Sequence, residues 1–297
     1  MTAPIAHKRW RAWIIASRPR TLPAAIAPVI VGTAVAIHDG AFEPLAALAA
    51  LFAALMIQIG SNFANDLGDF HRGTDRVGRV GPTRVTTAGL LTPGQVKAGM
   101  VVVFGLAALA GLYLIAIGGW PILVVGVASI LAAVAYTIGP LPFGYYGLGD
   151  VAVFVFFGLI AVVGTYYVQA LRVTPLAILA AVPMGCLITG ILVVNNIRDA
   201  DTDRAAGKRT LAVLLGRRSA RIEYIALIVV AYAIPFVLWL GLGLRPTVLL
   251  PALTLPLAIR LIRTVLDVLG PPLNRALGGT AQLAVWYAVA FAVGLVL

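Results

Sequence analysis

Two acidic clusters interrupt an otherwise apolar chain. The first, NFANDLGDFHRGTD, runs from Asn62 to Asp75, and the second, NNIRDADTD, from Asn195 to Asp203. Together they hold six of the eleven carboxylates, and arginine and lysine follow each of them. Ionisable groups close to a bilayer are costly and usually functional. If the chain is helical there, Asn62, Asp66 and Asp69 fall at i, i+4 and i+7 and share a face, as do Asn65 and Asp69. Gly68 and Gly73 are expected to loosen that helix and let Asp75 fold back toward the other carboxylates. In the second cluster Asn195, Asp199 and Asp203 stand at i, i+4 and i+8, with Asn196 beside that line and Asp201 pointing elsewhere.

Hard oxygen ligands of this kind favour Mg2+ over zinc or copper, and magnesium completes its shell with water and substrate phosphate. Arg72, Arg76, Arg79 and Arg84 follow the first cluster, and Lys208 and Arg209 the second. Guanidinium forks pair with phosphate oxygens. Two such clusters facing one cavity would clamp a diphosphate from two sides and neutralise it as a leaving group. Taken singly, the same residues have plainer uses. Aspartates cap helices, amides such as Asn195 and Asn196 hydrogen-bond across spans, and cytoplasmic loops carry arginine in any case.

The elements that must position these groups are membrane helices. The 297 residues are 61% hydrophobic and only 11% charged, with a mean hydropathy of +1.00, whereas a soluble domain is about 25% charged. A span needs about 20 mainly apolar residues, and nine fit: 21–38, 44–63, 96–117, 120–138, 149–171, 175–196, 222–242, 246–264 and 279–297. The fold class expected is an all-α integral membrane protein, a single domain over 1–297, with an acidic loop after an even-numbered helix in each half. Residues 8–17 read as an interfacial helix with Trp10 and Trp13 at headgroup depth. The start of the chain imitates a signal peptide, but Pro23, Pro28 and the later spans argue for a retained first helix. Cys186, the single cysteine, excludes intramolecular disulfides and cysteine-based zinc sites.

With the N-terminus inside, 20 of the 22 Lys and Arg fall on the inner side, leaving only Arg172 and Arg245 outside. That asymmetry sets orientation and puts both acidic clusters on the cytoplasmic face of the cell membrane. The formal charge of +11 is therefore mostly topological, with some attraction for anionic membrane lipid, and no nucleic acid partner is expected. An anionic head beside apolar helices suggests an allylic diphosphate. The cation left after its ionisation would be steadied by aromatic faces, about 0.5–2 kcal/mol each. Tyr136, Phe143, Tyr145, Tyr146, Phe154, Phe156, Phe157, Tyr166 and Tyr167 are candidates, most of them expected to be packing. A secondary transporter is the main rival from another class, but its site would lie near the midplane.

The two motifs resemble those of the UbiA superfamily of membrane prenyltransferases, NDxxDxxxD and DxxxD. The resemblance extends over ASRPRTLPAAIAPVIVGTA, NFANDLGDFHRGTDRVGRVGPTRVTTAGLLTP, AYTIGPLPFGYYGLGDVAVFVFFG and NNIRDADTDRAAGKRTLAVLLG. The third aspartate is Asp75, where the plain motif would place it at Gly73. That wider spacing is similar to the branch that prenylates 1,4-dihydroxy-2-naphthoate, rather than the 4-hydroxybenzoate branch. The resemblance implies about nine helices around a central cavity open to lipid. It implies Mg2+ on Asn65, Asp66, Asp69, Asp75, Asn196, Asp199 and Asp203, with the five aspartates catalytic. It implies substrate contacts from Asn62, Arg72, Arg76, Arg84, Tyr136, Asn195, Arg198, Lys208 and Arg209. The activity implied is transfer of a polyprenyl group from a polyprenyl diphosphate to 1,4-dihydroxy-2-naphthoate, with loss of its carboxylate. Asp150 belongs to a matched stretch, with no role implied.

Overall fold

A computed structural model describes residues 9–73, 81, 83–140 and 142–297. Asp75, Arg76 and Arg79 lie outside the described residues. A short helix, α1 (Arg9–Ser17), precedes nine helical rods: α2 (Pro23–His38), α3 (Pro44–His71), α4 (Pro93–Gly118), α5 (Trp120–Ala135), α6 (Gly149–Ala170), α7 (Pro175–Ala205), α8 (Gly216–Gly241), α9 (Pro246–Asp267) and α10 (Leu273–Val296). The described residues contain no strand. In hydrocarbon a backbone polar group must find its partner inside the segment, which leaves helices as the simple solution.

Local chemistry sets the ends of these rods. Proline occupies the first turn of α2, α3, α4, α7 and α9, where a missing N–H costs nothing. Thr92 and Gln95 form a capping box at α4, and the Thr174 hydroxyl accepts from the Ala177 amide at α7. Gly119, at φ +72°, separates α4 from α5. Seven rods are long and apolar enough to span a bilayer. The segments Trp10–Thr21 and Pro23–His38, bent by 51°, make an eighth if taken together. The remaining rod, α5, has 16 residues, about 24 Å at 1.5 Å per residue. That is shorter than the roughly 30 Å hydrocarbon core and shorter than the expected 120–138.

The spans expected at 44–63 and 175–196 continue as helix to His71 and Ala205, so both acidic clusters are carried on the last turns of long rods. Gly68 does not loosen α3. It lets the helix approach Thr137, whose Cβ would lie 2.9 Å from a side-chain carbon placed there. The turn comes at Gly73, φ +64°. Trp10 is exposed, but Trp13 turns inward onto Phe63, with ring centroids 5.7 Å apart, a correction to the expectation that both face headgroups.

Helix α7 is the axis of the molecule. Of its most apolar window, 72% is buried, against 11% for α4, whose Val101, Val102 and Leu109 face outward. It packs against α2, α6, α8 and α10 through a core that includes Val31, Tyr166, Met184, Leu187, Tyr224 and Tyr287. Polar atoms in that core are paired: the Tyr287 hydroxyl donates to the Ala231 carbonyl at 2.6 Å, and Tyr224 and Thr280 share a hydrogen bond of 2.9 Å. A π-helical stretch, Phe154–Ile160, interrupts α6. Here Gly158 lies so close to α7 that an added Cβ would sit 2.5 Å from the Gly185 Cα. Gly158→Ala should therefore cost about 1–3 kcal/mol by overpacking. Gly105→Ala on α4, where nothing lies within 4 Å, should be neutral or gain up to about 1 kcal/mol. Thermal unfolding of both variants in detergent checks the pair, and equal melting temperatures would contradict the close α6–α7 contact.

Candidate active site

A cavity of about 550 Å³ lies between α2, α3, α4, α5, α6 and α7. Its walls are apolar over most of their length, with Ala107, Leu112, Ile115, Ile122, Phe157 and Val168 among them. Its polar groups concentrate where α3 and α7 end. From the first cluster Asn62, Asn65 and Asp69 face it, and from the second Asn195, Asn196, Asp199 and Asp203. Arg84, Lys208 and Tyr136 join them. The helical spacing of each cluster thus points both at one space.

Asp69 is the most heavily tied of these groups. It is 1% exposed, forms an ion pair with Arg84, accepts a hydrogen bond from the Tyr145 hydroxyl, and lies 3.4 Å from the Lys208 ammonium. The same ammonium is 3.8 Å from Asp203, so one lysine bridges the two clusters. The Tyr145 ring lies between cations, 4.6 Å from Lys208 and 5.3 Å from Arg72, distances at which a ring face attracts positive charge. The Tyr145 carbonyl accepts from the Arg209 amide at 2.9 Å, which pins the 142–146 segment to the second cluster's loop.

Asp199 is held by its neighbour. Arg198 donates from Nε and Nη2 to the two carboxylate oxygens at 2.7 and 2.6 Å, and reaches Asn274 and Asn195 at 2.7 Å each. Its side chain is fully buried and is not part of the cavity wall. In this structure Arg198 therefore braces Asp199 and does not line the cavity. Asp66 likewise turns from the cavity, and its oxygens accept from the Val85 and Thr86 amides at 3.0 and 3.2 Å. It folds the following loop back so that Arg84 reaches Asp69.

The remaining expected residues separate by position. Asn62 donates to the Ser17 carbonyl and the Thr21 hydroxyl at 2.9 and 3.0 Å. Asn65 accepts from the Thr137 hydroxyl at 3.1 Å, and Asn196 donates to Asp150 at 3.5 Å. Arg72 donates to the Thr137 and Gly139 carbonyls. With Arg209 it lines a second, smaller pocket of about 390 Å³ beyond Tyr145, so neither arginine faces the main cavity. Asp201 pairs with Arg217 away from the site, as its place on the helix predicts. Sequence reasoning named Tyr145 only as one of nine aromatic candidates and gave no special place to Arg18, Gln58 or Asn274. For Gln58 the signal existed, since Gln58, Asn62, Asn65 and Asp69 form one i, i+4, i+7, i+11 stripe; for Tyr145 no spacing could single it out.

The donor set is one of oxygens with cations beside them. Among the described residues no three His, Cys, Asp or Glu side chains gather closely enough to form a metal site on their own. Magnesium needs only one or two carboxylates when water and phosphate oxygens supply the rest. Asp69, Asp199 and Asp203, with the amides of Asn65 and Asn196, fit an ion that binds together with its substrate.

This arrangement defines a class: an integral membrane protein whose cavity is charged at one end and apolar beyond. The chain belongs to the UbiA prenyltransferase family, which matches it over residues 25–276. It is 45% identical over 219 residues to the 1,4-dihydroxy-2-naphthoate octaprenyltransferase of Escherichia coli (strain K12), covering 72% of this chain and 71% of that protein. It is also 45% identical over 248 residues to the protein of that name from Mycobacterium tuberculosis, covering 84% of each. Among solved structures, a UbiA homolog from Archaeoglobus fulgidus bound to DMAPP and Mg2+ shares the fold, with a TM-score of 0.65 at 17% identity over 96% of this chain and 98% of that one.

Removing the clamp has a defined cost. Arg198→Ala leaves Asp199 buried without its bidentate partner, and breaking such a pair typically costs about 3–5 kcal/mol. The variant should melt well below the parent protein in detergent, and an unchanged melting temperature would remove Arg198 from this role.

Proposed function

We propose that this chain transfers a polyprenyl group from a polyprenyl diphosphate to 1,4-dihydroxy-2-naphthoate, with Mg2+, at the cytoplasmic face of the cell membrane. The carrying observation is that both acidic clusters, with Arg84 and Lys208, line the polar end of a cavity whose remainder is apolar. That shape suits an amphiphile with an anionic head and a hydrocarbon tail. The names of the 45% identical relatives support the choice of acceptor, and the bias of basic residues supports the orientation.

In this reading Asn65, Asp69, Asn196, Asp199 and Asp203 would hold the metal, together with Asp75. Bound there, magnesium would neutralise charge on the diphosphate oxygens. Arg84 and Lys208 contact the same oxygens from the protein side, and Asp66 and Arg198 keep the ligands in position. The C–O bond of the donor breaks with its electron pair leaving on diphosphate. Tyr136, Phe143 and Phe157, which line the cavity, offer ring faces to the allylic cation. The electron-rich naphthoate ring forms the new C–C bond, and its carboxylate leaves as carbon dioxide, giving demethylmenaquinone in its quinol form. Holding ring and cation together supplies much of the rate, because orientation replaces a strong nucleophile.

Membranes carrying the protein, given radiolabelled polyprenyl diphosphate and 1,4-dihydroxy-2-naphthoate, should yield a labelled lipid quinone that disappears with EDTA. With 4-hydroxybenzoate as competing acceptor, naphthoate product should dominate; product from 4-hydroxybenzoate alone would overturn the acceptor. Asp69→Asn and Asp203→Asn should each lower kcat by about 100-fold or more, the order expected when one electrostatic contact to the transition state is lost. Full activity in both would sink the metal-site reading.

A further inference from the structure

Gln58 Oε1 and Thr210 Oγ1 belong to cavity-wall side chains that are more than nine-tenths buried, and neither atom has a hydrogen-bond partner among the described residues. Thr210 follows Lys208 and Arg209 at the anionic end, where a phosphate oxygen would satisfy it. Gln58 has no such account. It sits on α3 eleven residues before Asp69, about 16 Å away at 1.5 Å per residue, and the wall beyond it is alanine, with Ala50, Ala53 and Ala54. A prenyl chain packed against Gln58 would leave its amide unsatisfied. A buried polar group in that condition is destabilising.

We infer that Gln58 is a specificity-determining residue that hydrogen-bonds a ring hydroxyl of the aromatic acceptor; the inference rests on the prenyl-transfer reading above. Gln58 stands about 16 Å along α3 from Asp69, which leaves space between them for a diphosphate head and an aromatic ring. The neighbouring groups extend the polar face of α3 by one turn beyond its carboxylates. Asn62, one turn along α3, is held by Ser17 and Thr21 at the bend between α1 and α2, and Ser61 faces the same space. Asn62 spends its amide protons on the protein, whereas the Gln58 oxygen is available to a hydroxyl donor. Turned end for end, the amide would instead present its NH2 to a hydroxyl oxygen, and the recognition is of the same kind.

The test compares Gln58→Leu and Gln58→Met with the parent protein, using purified protein in detergent. Acceptor affinity is measured for 1,4-dihydroxy-2-naphthoate and for the two monohydroxy naphthoates that lack one or the other hydroxyl. Donor KM is measured in parallel. The parent should bind the dihydroxy acid about tenfold more tightly than one of the analogues, the equivalent of about 1.4 kcal/mol. Both variants should lose that discrimination, with donor KM unchanged. Because the Gln58 oxygen has no hydrogen-bond partner among the described residues, neither variant should melt lower than the parent. Retained discrimination, a changed donor KM with unchanged acceptor affinity, or loss of folding in both variants would each overturn the assignment. If the parent protein prenylates no naphthoate at all, the proposed function fails; if it does so and the variants match it, only the role of Gln58 fails.

Discussion

A carboxylate at the end of a membrane helix is stable only when donors surround it, and the polar end of this cavity is organised by that requirement. Asp69 is met by a guanidinium, an ammonium and a phenol from three other segments. Asp199 is met by Arg198, which needs Asn195 and Asn274 to complete its own bonds. Asp66 takes two backbone amides. Each tie draws a loop or a distant helix toward α3 or α7, so the charges that make the site useful also assemble it. Leaving any one of them buried and unmatched would cost several kcal/mol.

The rest of the fold supplies a gradient. Residues of α3 line the cavity from Ala50 to Asp69, roughly 28 Å of rise, close to the thickness of the hydrocarbon core. Across that length the wall changes from alanine and isoleucine to amides and then to a carboxylate with cations beside it. The buried α7 gives this gradient a rigid back wall, while the short α5 and the lipid-facing α4 form its thinner side. The π-helical stretch of α6 places Phe156 and Phe157 on the cavity, and such stretches often occur at functional sites. The polar and apolar halves suit the two ends of one amphiphilic donor.

Lys208 connects the two clusters in another sense. It stands within 4 Å of Asp69 and Asp203 and over the face of Tyr145, so a divalent ion bound at either aspartate would share its ligand with an ammonium already there. A diphosphate oxygen is a natural partner for that ammonium. Binding of metal and of diphosphate would thus favour each other electrostatically, since each satisfies what the other displaces.

The sequence by itself determined the class, the order of the rods and the stripe. Hydropathy marks the rods because the backbone has no alternative in hydrocarbon, and helical periodicity put Asn62, Asn65 and Asp69 on one face and sent Asp201 to another. It could not say which carboxylates look into the cavity, because a period fixes an angle around one helix and not the partner that the angle meets. Asp66 and Asp69 are three residues apart and share a face, yet one ties a loop and the other faces the cavity. Arg198 lies in the motif but clamps Asp199, and Arg72 and Arg209 open onto a separate pocket. Only the tertiary structure decided these roles. They depend on which side chains α7, α10 and the 142–146 segment bring within about 3 Å, the reach of a hydrogen bond, and that proximity is created by packing between residues far apart in the chain.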